Sequence, residues 1–376
     1  MQGSEMTHSM LARTLPRWTM LRACSRMIAG SLALCLGATS LDAQQLYTVR
    51  IGGQSPPIFE YTYWHHAINN GFMKKYGIDA RFVGFAAGVT STQALAGGSV
   101  DIGCDGFSGQ LAVIDRGAKV RIVQMVNADN TYIVLARDTI MKPSDLRGKK
   151  WAITQQGAIS QTYAAIWLNA NGVKADKGDV VDWIPVGGTA ARVRAVVAGH
   201  VDAALVTIGD WIRIKDEKGI RLLATLSDTV PPLPLSSCSA SEKLLSERPD
   251  IVQGYVNATI DAARHARTPE GKAQYIKLYR EINPLKLKDE EYDALYDYYL
   301  GPQGSQFAID PNGGMYPEVV ASNVKMLVED KTLNAPLPLE RAWDMRFVNN
   351  YLAQHGWFDV RTGKSQLYLR DLITKK

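Results

Sequence analysis

Residues 94–101 read Ala-Leu-Ala-Gly-Gly-Ser-Val-Asp, and residues 195–202 read Ala-Val-Val-Ala-Gly-His-Val-Asp. Both stretches continue alike, through a short apolar segment, a helical pattern that ends near Gly117 or Gly219, and a second apolar segment. Each copy therefore predicts a helix, a strand, a second helix and a second strand. Two copies are too few for a solenoid, so the repeat predicts two similar α/β lobes. Two lobes imply a cleft between them, and such clefts are a usual place for small ligands.

Working outward from the repeat, strand patterns alternate with helical patterns, which predicts parallel sheets. The composition changes at 142–149, where Pro and Gly punctuate the chain, and the Pro-rich segment 231–234 predicts a return crossing. We therefore expect lobe one to comprise residues 44–137 and 233–376, and lobe two to comprise residues 138–232. Beyond residue 241 the pattern is mostly helical.

The N-terminal segment 1–43 has the pattern of a targeting signal rather than of a folded part of the protein. A basic stretch with four arginines precedes an uncharged apolar run at 27–41, and Ala43 precedes a polar residue. This order is typical of a secretory signal peptide, and we expect cleavage after Ala43. The apolar run is shorter than the roughly 20 residues of a membrane-spanning helix. An N-terminal membrane anchor is the alternative.

Charge and cysteine content exclude some classes of protein. The chain has 42 Lys and Arg against 37 Asp and Glu, without a long basic run, so neither nucleic-acid nor membrane-surface binding is indicated. Cys104 and Cys238 would remain after cleavage, too few for a disulfide scaffold. Whether they pair with each other cannot be derived from the sequence, because their distance is unknown.

Glycine and hydroxyl residues recur where predicted strands run into predicted helices. Lobe one has such loops at 53–55, 88–92 and 105–108, and lobe two has them at 155–160 and 187–189. Helix N-termini offer free backbone N–H groups and a partial positive charge, which favours anions. Ordinary helix capping explains any single loop, but the recurrence in both lobes predicts a ligand site that both share.

Motifs of catalysis and metal binding do not occur in the sequence. His65 and His66 are adjacent and would point away from each other on a helix. The chain has no His-x-x-x-His or Cys-x-x-Cys spacing and no Gly-x-Ser-x-Gly nucleophile elbow. We therefore expect no catalytic residue, no metal site and no cofactor.

Several motifs together resemble a known family. The signal peptide, the stretch Gly-Phe-Met-Lys-Lys-Tyr-Gly-Ile-Asp-Ala at 71–80, the Gly-x-Val-Asp blocks, Asp-Leu-Arg-Gly-Lys at 145–149 and Arg-Pro-Asp-Ile-Val at 248–252 are similar to periplasmic solute-binding proteins of ABC transporters. The resemblance is to the branch that binds aliphatic sulfonates, taurine and nitrate, whose superfamily includes thiamine-pyrimidine synthases. It covers about residues 47–270. It implies a two-lobed periplasmic-binding-protein-like α/β fold of type II, in which each lobe is a doubly wound sheet with flanking helices and two hinge crossings join the lobes.

The resemblance also implies a function. We expect an exported, monomeric periplasmic protein that captures a small organic anion, either a sulfonate or a carboxylate, aliphatic or aromatic. The protein would deliver this solute to an inner-membrane permease that works with an ATPase. Two alternatives stay open: a binder or synthase-type enzyme of thiamine-pyrimidine precursors, and a sensory solute-binding protein. The cysteine-rich segment expected of the synthases is absent from the sequence, which favours the binding protein over the enzyme.

Nine residues in the loops are the candidate ligand contacts: Ser55, Tyr61, Thr90, Ser91 and Phe107 from lobe one, and Ser160, Thr189, Arg192 and Asp210 from lobe two. Arg192 could pair bidentately with a carboxylate or sulfonate, or lie on a solvated helix face. Asp210 could be a ligand contact or a helix N-cap. Phe107 is expected to face the cleft rather than the core.

Overall fold

The computed structural model describes residues 45–128, 131–175, 179, 182–284, 286–302, 308–314, 316–361 and 364–366. The predicted signal peptide, 1–43, and its cleavage site lie outside the described residues.

Strands and helices alternate through the first two thirds of the described chain, and helices predominate in the last third. The strands are β1 (Tyr47–Gln54), β2 (Ile78–Phe85), β3 (Ile102–Gly106), β4 (Val120–Asn127), β5 (Tyr132–Arg137), β6 (Lys150–Ile153), β7 (Asp182–Pro185), β8 (Ala203–Thr207), β9 (Ile220–Thr225), β10 (Ser236–Ser241), β11 (Trp357–Asp359) and β12 (Lys364–Gln366). The helices are α1 (Thr62–Asn69), α2 (Phe72–Lys75), α3 (Gly88–Ala96), α4 (Phe107–Asp115), α5 (Ile159–Ala170), α6 (Thr189–Val197), α7 (Ile208–Ile214), α8 (Glu242–Glu247), α9 (Pro249–His265), α10 (Pro269–Ile282), α11 (Asp289–Leu300), α12 (Pro317–Glu329), α13 (Leu339–Ala342) and α14 (Arg346–His355). Short 3-10 turns occupy Phe59–Tyr61, Pro143–Leu146 and Leu226–Asp228.

Two five-stranded sheets of the same topology form the two lobes. The first has the order β2-β1-β3-β10-β4, and the second has the order β7-β6-β8-β5-β9. The repeat in the sequence corresponds to α3-β3-α4-β4 in the first lobe and α6-β8-α7-β9 in the second. The predicted two-lobed fold with flanking helices is therefore confirmed.

Both sheets are mixed, which corrects the prediction of parallel sheets. β10 pairs antiparallel with β3 and β4, and β5 pairs antiparallel with β8 and β9. The reason is that the strand which follows each crossing of the chain enters the sheet from the opposite end. The other pairings, of β1 with β2 and β3 and of β6 with β7 and β8, are parallel as expected.

The chain passes from the first sheet to the second between β4 and β5, and it returns between β9 and β10. β5 therefore stands in the second sheet, although the sequence placed residues 44–137 in lobe one. We propose that lobe two begins at the connection before β5. β10 stands in the first sheet, and the assignment of the whole of 233–376 to lobe one stays a prediction.

β10 has an unusual sequence for the inside of a sheet, Ser-Ser-Cys-Ser-Ala-Ser, and its residues 236–240 are buried. The hydroxyls of Ser237 and Ser239 donate to Oε1 of Gln110 at 2.7 and 2.8 Å. The Gln110 amide donates in turn to the carbonyls of Gly103 and Ser237, both at 2.9 Å. Buried hydroxyls are tolerated here because each has a partner.

Cys104 on β3 and Cys238 on β10 form a disulfide, which answers a question that the sequence left open. The two residues are register partners in neighbouring antiparallel strands. The bond joins positions 134 residues apart and closes a loop that contains every strand of the second sheet.

The C-terminal helices cover the first sheet. Trp343 forms a bridge beside Ile122 on β4, and α9 lies against α1, α2 and α14. Within the described residues, no helix has the length and apolar character needed to cross a membrane.

A histidine pair joins α1 to α9, and its member on α1, His66, is buried. Nε2 of His66 lies 3.0 Å from Nδ1 of His265, and the side-chain nitrogen of Asn70 lies 3.0 Å from Nδ1 of His66. Burial, and then the neighbouring His265, lower the pKa of His66 from 6.5 to about 4. The folded protein therefore holds this imidazole neutral at pH values where the unfolded chain would protonate it.

We expect this pair to weaken the fold in acid. Between about pH 6.5 and 4 the unfolded state binds a proton at His66 that the folded state does not, so the free energy of unfolding falls by about 1.4 kcal/mol per pH unit at most. The His66→Gln variant keeps hydrogen-bonding capacity without this titration. We measure the free energy of unfolding of both proteins in urea at pH 4.5, 5.5, 6.5 and 7.5. The difference in this free energy between wild type and variant should narrow or reverse as the pH falls. Asp105 and Asp310, whose pKa values burial raises to about 7 and about 6, titrate in both proteins and drop out of the comparison. Parallel curves would contradict the prediction.

Candidate ligand-binding cleft

Two adjoining cavities lie between the strand ends of the two lobes. The wide cavity has a volume of about 770 Å³, and the narrow pocket has a volume of about 30 Å³. Gln54 at the end of β1 and Thr189 at the start of α6 line both of them. The two cavities are therefore parts of one site, to which both lobes contribute.

The wide cavity is positively charged at its walls. Arg194 on α6, Arg213 on α7 and Lys286 in the α10–α11 connection line it. Among the described residues that line it, Asp210 supplies the one carboxyl. The three cations are exposed, and Asp210 is buried. An anionic solute is therefore favoured in this cavity over a cationic one.

The beginning of α6 adds to this preference. Residues 188–191 line the wide cavity, with Gly188 as the N-cap and Gly187 at φ +97°. That φ is accessible to glycine at little cost, and it turns the chain so that the helix starts at the cavity wall. The first-turn N–H groups of a helix have no acceptor within the helix and attract anions.

Arg192 lies behind this helix start and is buried, with 1% of its surface exposed. Its Nε–H donates to the carbonyl of Leu205 at 2.9 Å, and Nη1 donates to Oγ1 of Thr154 at 2.6 Å and the carbonyl of Gly187 at 3.2 Å. Nη2 donates to Oγ1 of Thr189 at 3.3 Å. These four hydrogen bonds lie within the second lobe, and Tyr132 on β5 is a further hydrogen-bond partner.

Arg192 therefore does not lie on a solvated helix face. It also does not present two free N–H groups that could bind a carboxylate or sulfonate bidentately. Burial lowers the pKa of Arg192, while Tyr132 and Asp210 oppose that shift through charge and Tyr132 also through a hydrogen bond. The guanidinium ties the loop after β6, the loop before α6 and β8 together. It therefore acts on a solute through its positive charge and by positioning Thr189, rather than by a free pair of N–H groups.

Asp210 is the third residue of α7, and Thr207 is its N-cap. The Asp210 N–H donates to Oγ1 of Thr207 at 3.4 Å, and the Thr207 hydroxyl donates to Oδ2 of Asp210 at 2.7 Å. Burial raises the pKa of Asp210, which these bonds, Arg192 and Arg213 partly offset. Asp210 is therefore not the N-cap, and it also lines the wide cavity.

The narrow pocket contains a second buried carboxyl, Asp105 at the end of β3, together with Tyr61, Tyr132 and Arg192. Asp105 is 7% exposed and accepts hydrogen bonds from the Thr92 hydroxyl at 2.9 Å and from its neighbouring backbone N–H. Burial raises its pKa to about 7, against the effect of those two bonds.

Five of the nine candidate residues line one or both cavities: Ser55, Tyr61, Thr189, Arg192 and Asp210. The other four do not line either. Thr90 is exposed on α3, and Ser91 beside it is fully buried without a partner for its hydroxyl among the described residues. The Ser160 hydroxyl donates to Oγ1 of Thr154 at 3.1 Å and accepts from the Thr154 N–H at 2.9 Å, so it braces a loop that Arg192 also holds.

Phe107 corrects the expectation that it faces the cleft. It is the first residue of α4 and is fully buried, with its ring centroid 5.5 Å from that of Trp343. The C-terminal segment covers this position, and the sequence motifs give no sign of that contact.

Several lining residues were missed. Asp105 stood in a loop singled out for its Gly and Ser residues, but a buried carboxyl has no signature of its own. Arg194 was not among the nine candidate residues. Tyr279, Asn283 and Lys286 line the wide cavity from a segment beyond the recognisable motifs. No cluster of three or more metal-ligating side chains occurs among the residues that the structure describes.

Comparisons with known proteins identify a family and a fold. A family model described as NMT1/THI5 like matches residues 59–271, more than half of the chain. No curated protein matches the sequence.

Solved structures with the same fold include binding proteins and an enzyme. The alkanesulfonate-binding protein of Xanthomonas axonopodis pv. citri, bound to MOPS, is 18% identical with a TM-score of 0.64, covering 79% of this chain and 98% of that chain. The periplasmic nitrate-binding protein of Synechocystis PCC 6803 is 16% identical with a TM-score of 0.67, covering 82% and 89%. The desulfurization enzyme DSZB is 16% identical with a TM-score of 0.56, covering 82% and 99%.

Proposed function

The chain belongs to the NMT1/THI5-like family, and from that premise we propose that it is the extracytoplasmic solute-binding component of an ABC importer. It captures a small organic anion, a sulfonate or carboxylate, in the cleft between its lobes. It then delivers the solute to an inner-membrane permease that works with an ATPase. The segment at 1–43 directs export.

One observation supports the proposal that the solute is an anion. Three cationic side chains and the start of α6 line the same cavity of about 770 Å³. That volume is within the usual range for small-molecule sites, about 300–1,000 Å³. Because both lobes line the cavity, a bound solute contacts both and favours the closed arrangement, which is the arrangement that a permease would recognise. Ser55 from lobe one and Thr189 with Asp210 from lobe two supply polar contacts.

An enzyme of the same fold is the second candidate, because a desulfurization enzyme is among the structural neighbours. Within the described residues that line the two cavities, the cysteine is Cys104, and it is bound in the disulfide. It therefore offers no free thiolate as a nucleophile. Turnover of a sulfonate or of a pyrimidine precursor by the purified protein would favour the enzyme, and unchanged solute favours the binding protein.

We expect a thermal-shift screen of sulfonates, carboxylates, nitrate and pyrimidine precursors to find stabilisation by organic anions. A ligand at one hundred times its dissociation constant stabilises the folded state by about 2.7 kcal/mol. Isothermal titration of the best solute then measures the affinity. Arg194→Gln combined with Arg213→Gln should weaken binding about tenfold, since each partly exposed charge contributes up to about 1 kcal/mol.

The matched control is Lys218→Gln, which removes an exposed cation outside both cavities. It should bind the solute as wild type does. Equal weakening in the control would reduce the effect to net charge, and unchanged affinity in the double variant would exclude the wide cavity as the anion site.

A further inference from the structure

Asp105 occupies a place in lobe one where two helices begin. It ends β3 immediately before α4, and a Cβ on Gly88, the first residue of α3, would lie 1.9 Å from Oδ1 of Asp105. A Cβ on Gly109 in α4 would lie 3.3 Å from Oδ2. Glycine at 88 is thus required by the close approach of this carboxyl. The N-termini of α3 and α4 would attract an anion, and the carboxyl of Asp105 occupies that position.

The two lobes consequently offer a solute different chemistry. Lobe two contributes the start of α6, Arg194 and Arg213 to the wide cavity, whereas lobe one contributes the carboxyl of Asp105 to the narrow pocket. Arg192 also lines the narrow pocket, but its hydrogen bonds hold it to the second lobe. Burial raises the pKa of Asp105 to about 7, so the carboxyl is ionised above that pH. In that form it has room for about four hydrogen bonds, and among the described residues it receives two. Because Asp105 lines the narrow pocket, a donor placed there can use the remaining capacity.

We propose that the solute is an organic acid with a small hydrogen-bond donor, an amino or hydroxyl group, at the end opposite its acid group, and that this donor binds Asp105 in the narrow pocket. The inference depends on the anion-binding function proposed above. The acid group lies in the wide cavity near the start of α6, and the donor reaches past Gln54 and Thr189, which line both spaces.

The size of the narrow pocket limits the donor. Its volume of about 30 Å³ holds one group of the size of a water molecule. Amino, hydroxyl and methyl groups all have that size, but only the first two can donate to a carboxylate. The selection is therefore for donor chemistry rather than for bulk.

A matched series of four probes tests this by calorimetry at about pH 8, where Asp105 is ionised: benzenesulfonate, 4-methylbenzenesulfonate, 4-aminobenzenesulfonate and 4-hydroxybenzenesulfonate. The amino or the hydroxyl probe should bind wild-type protein about tenfold to hundredfold more tightly than the methyl probe, the range for a hydrogen bond to a charged group. The comparison uses the wild-type protein, so it does not depend on the folding of a variant. A methyl probe that binds as tightly as both donor probes would overturn the inference and leave anion binding intact.

Asp105→Asn provides the second arm, with Asp182→Asn, an exposed carboxyl on β7 outside both cavities, as the control. Asp105→Asn should bring the donor probes to within about threefold of the methyl probe, whereas the control should keep the wild-type preference. A preference that persists in a folded Asp105→Asn protein, judged by circular dichroism, would remove Asp105 from recognition. If another organic anion from the thermal-shift screen binds wild type but none of the four probes does, this inference is overturned and the proposed function stands. If no organic anion in that screen binds, the proposed function itself is contradicted.

Discussion

Arg192→Ala should lower both the stability of the protein and its affinity for the solute, and by more than any other single change in the cleft. Truncation leaves four acceptors in the second lobe without their donor and opens a cavity at a position that is 1% exposed. Removing a cation from the interior recovers some desolvation energy, which opposes these losses. Four bonds from a charged donor outweigh that recovery, and we expect the free energy of unfolding to fall by about 3–5 kcal/mol.

The affinity should fall with it, about a hundredfold, because the charge behind α6 is lost and Thr189 loses the partner that positions it. Urea unfolding without solute measures the first effect, and titration calorimetry well below the unfolding midpoint measures the second. Arg192→Lys separates charge from hydrogen bonding, since lysine keeps the charge but not the planar set of five donors. Recovery of affinity in the lysine variant would assign the effect to charge.

Arg194→Ala is the control for this prediction, because Arg194 lies on the same helix and is exposed. It should change stability by no more than about 0.5 kcal/mol. If Arg192→Ala were equally mild, the bonds described above would contribute nothing to the fold, and the candidate site would depend on the helix start and the exposed cations alone.

The fold was readable from the sequence where the chain follows a repeating pattern. The helix, strand, helix and strand of each copy correspond to α3-β3-α4-β4 and α6-β8-α7-β9. β10 was missed because large or β-branched apolar residues at alternating positions are the usual sign of a strand, and this segment has only Cys238 and Ala240 between its serines. Two of its buried serines, Ser237 and Ser239, have their hydrogen-bond partner in Gln110, a residue more than a hundred positions away.

The site was readable only in part, for a similar reason. Loops at strand ends predicted where Ser55, Thr189 and Asp210 would lie, because that position follows from topology. The roles of Arg192 and Asp105 depend on which acceptors and which helix starts surround them in three dimensions. For Phe107 the prediction from topology was wrong. Its position at a strand end predicted that it faces the cleft, but Trp343 packs against its ring.

Removing the disulfide should have the second large effect, chiefly on stability. The bond between Cys104 and Cys238 spans 134 residues, and it constrains the unfolded chain over a loop that includes all five strands of the second sheet. Loss of such a constraint typically costs about 2–4 kcal/mol, with longer loops toward the upper end. The double variant Cys104→Ala with Cys238→Ala avoids burying new hydroxyls, and its urea midpoint should fall accordingly. Its m-value should rise, because the unfolded chain becomes more expanded.

The same experiment bears on where the protein works. Wild type unfolded in dithiothreitol should approach the midpoint of the double variant, while the double variant itself should not respond to the reductant. Structural disulfides persist in oxidising compartments and are rare where thiols are kept reduced. A midpoint of wild type that is insensitive to dithiothreitol would mean that the two cysteines are not paired in the protein, and it would remove the support that this bond gives to export. A midpoint that falls in dithiothreitol, together with a mature N-terminus near Gln44 in periplasmic protein, would support both the disulfide between β3 and β10 and the export signal proposed for residues 1–43.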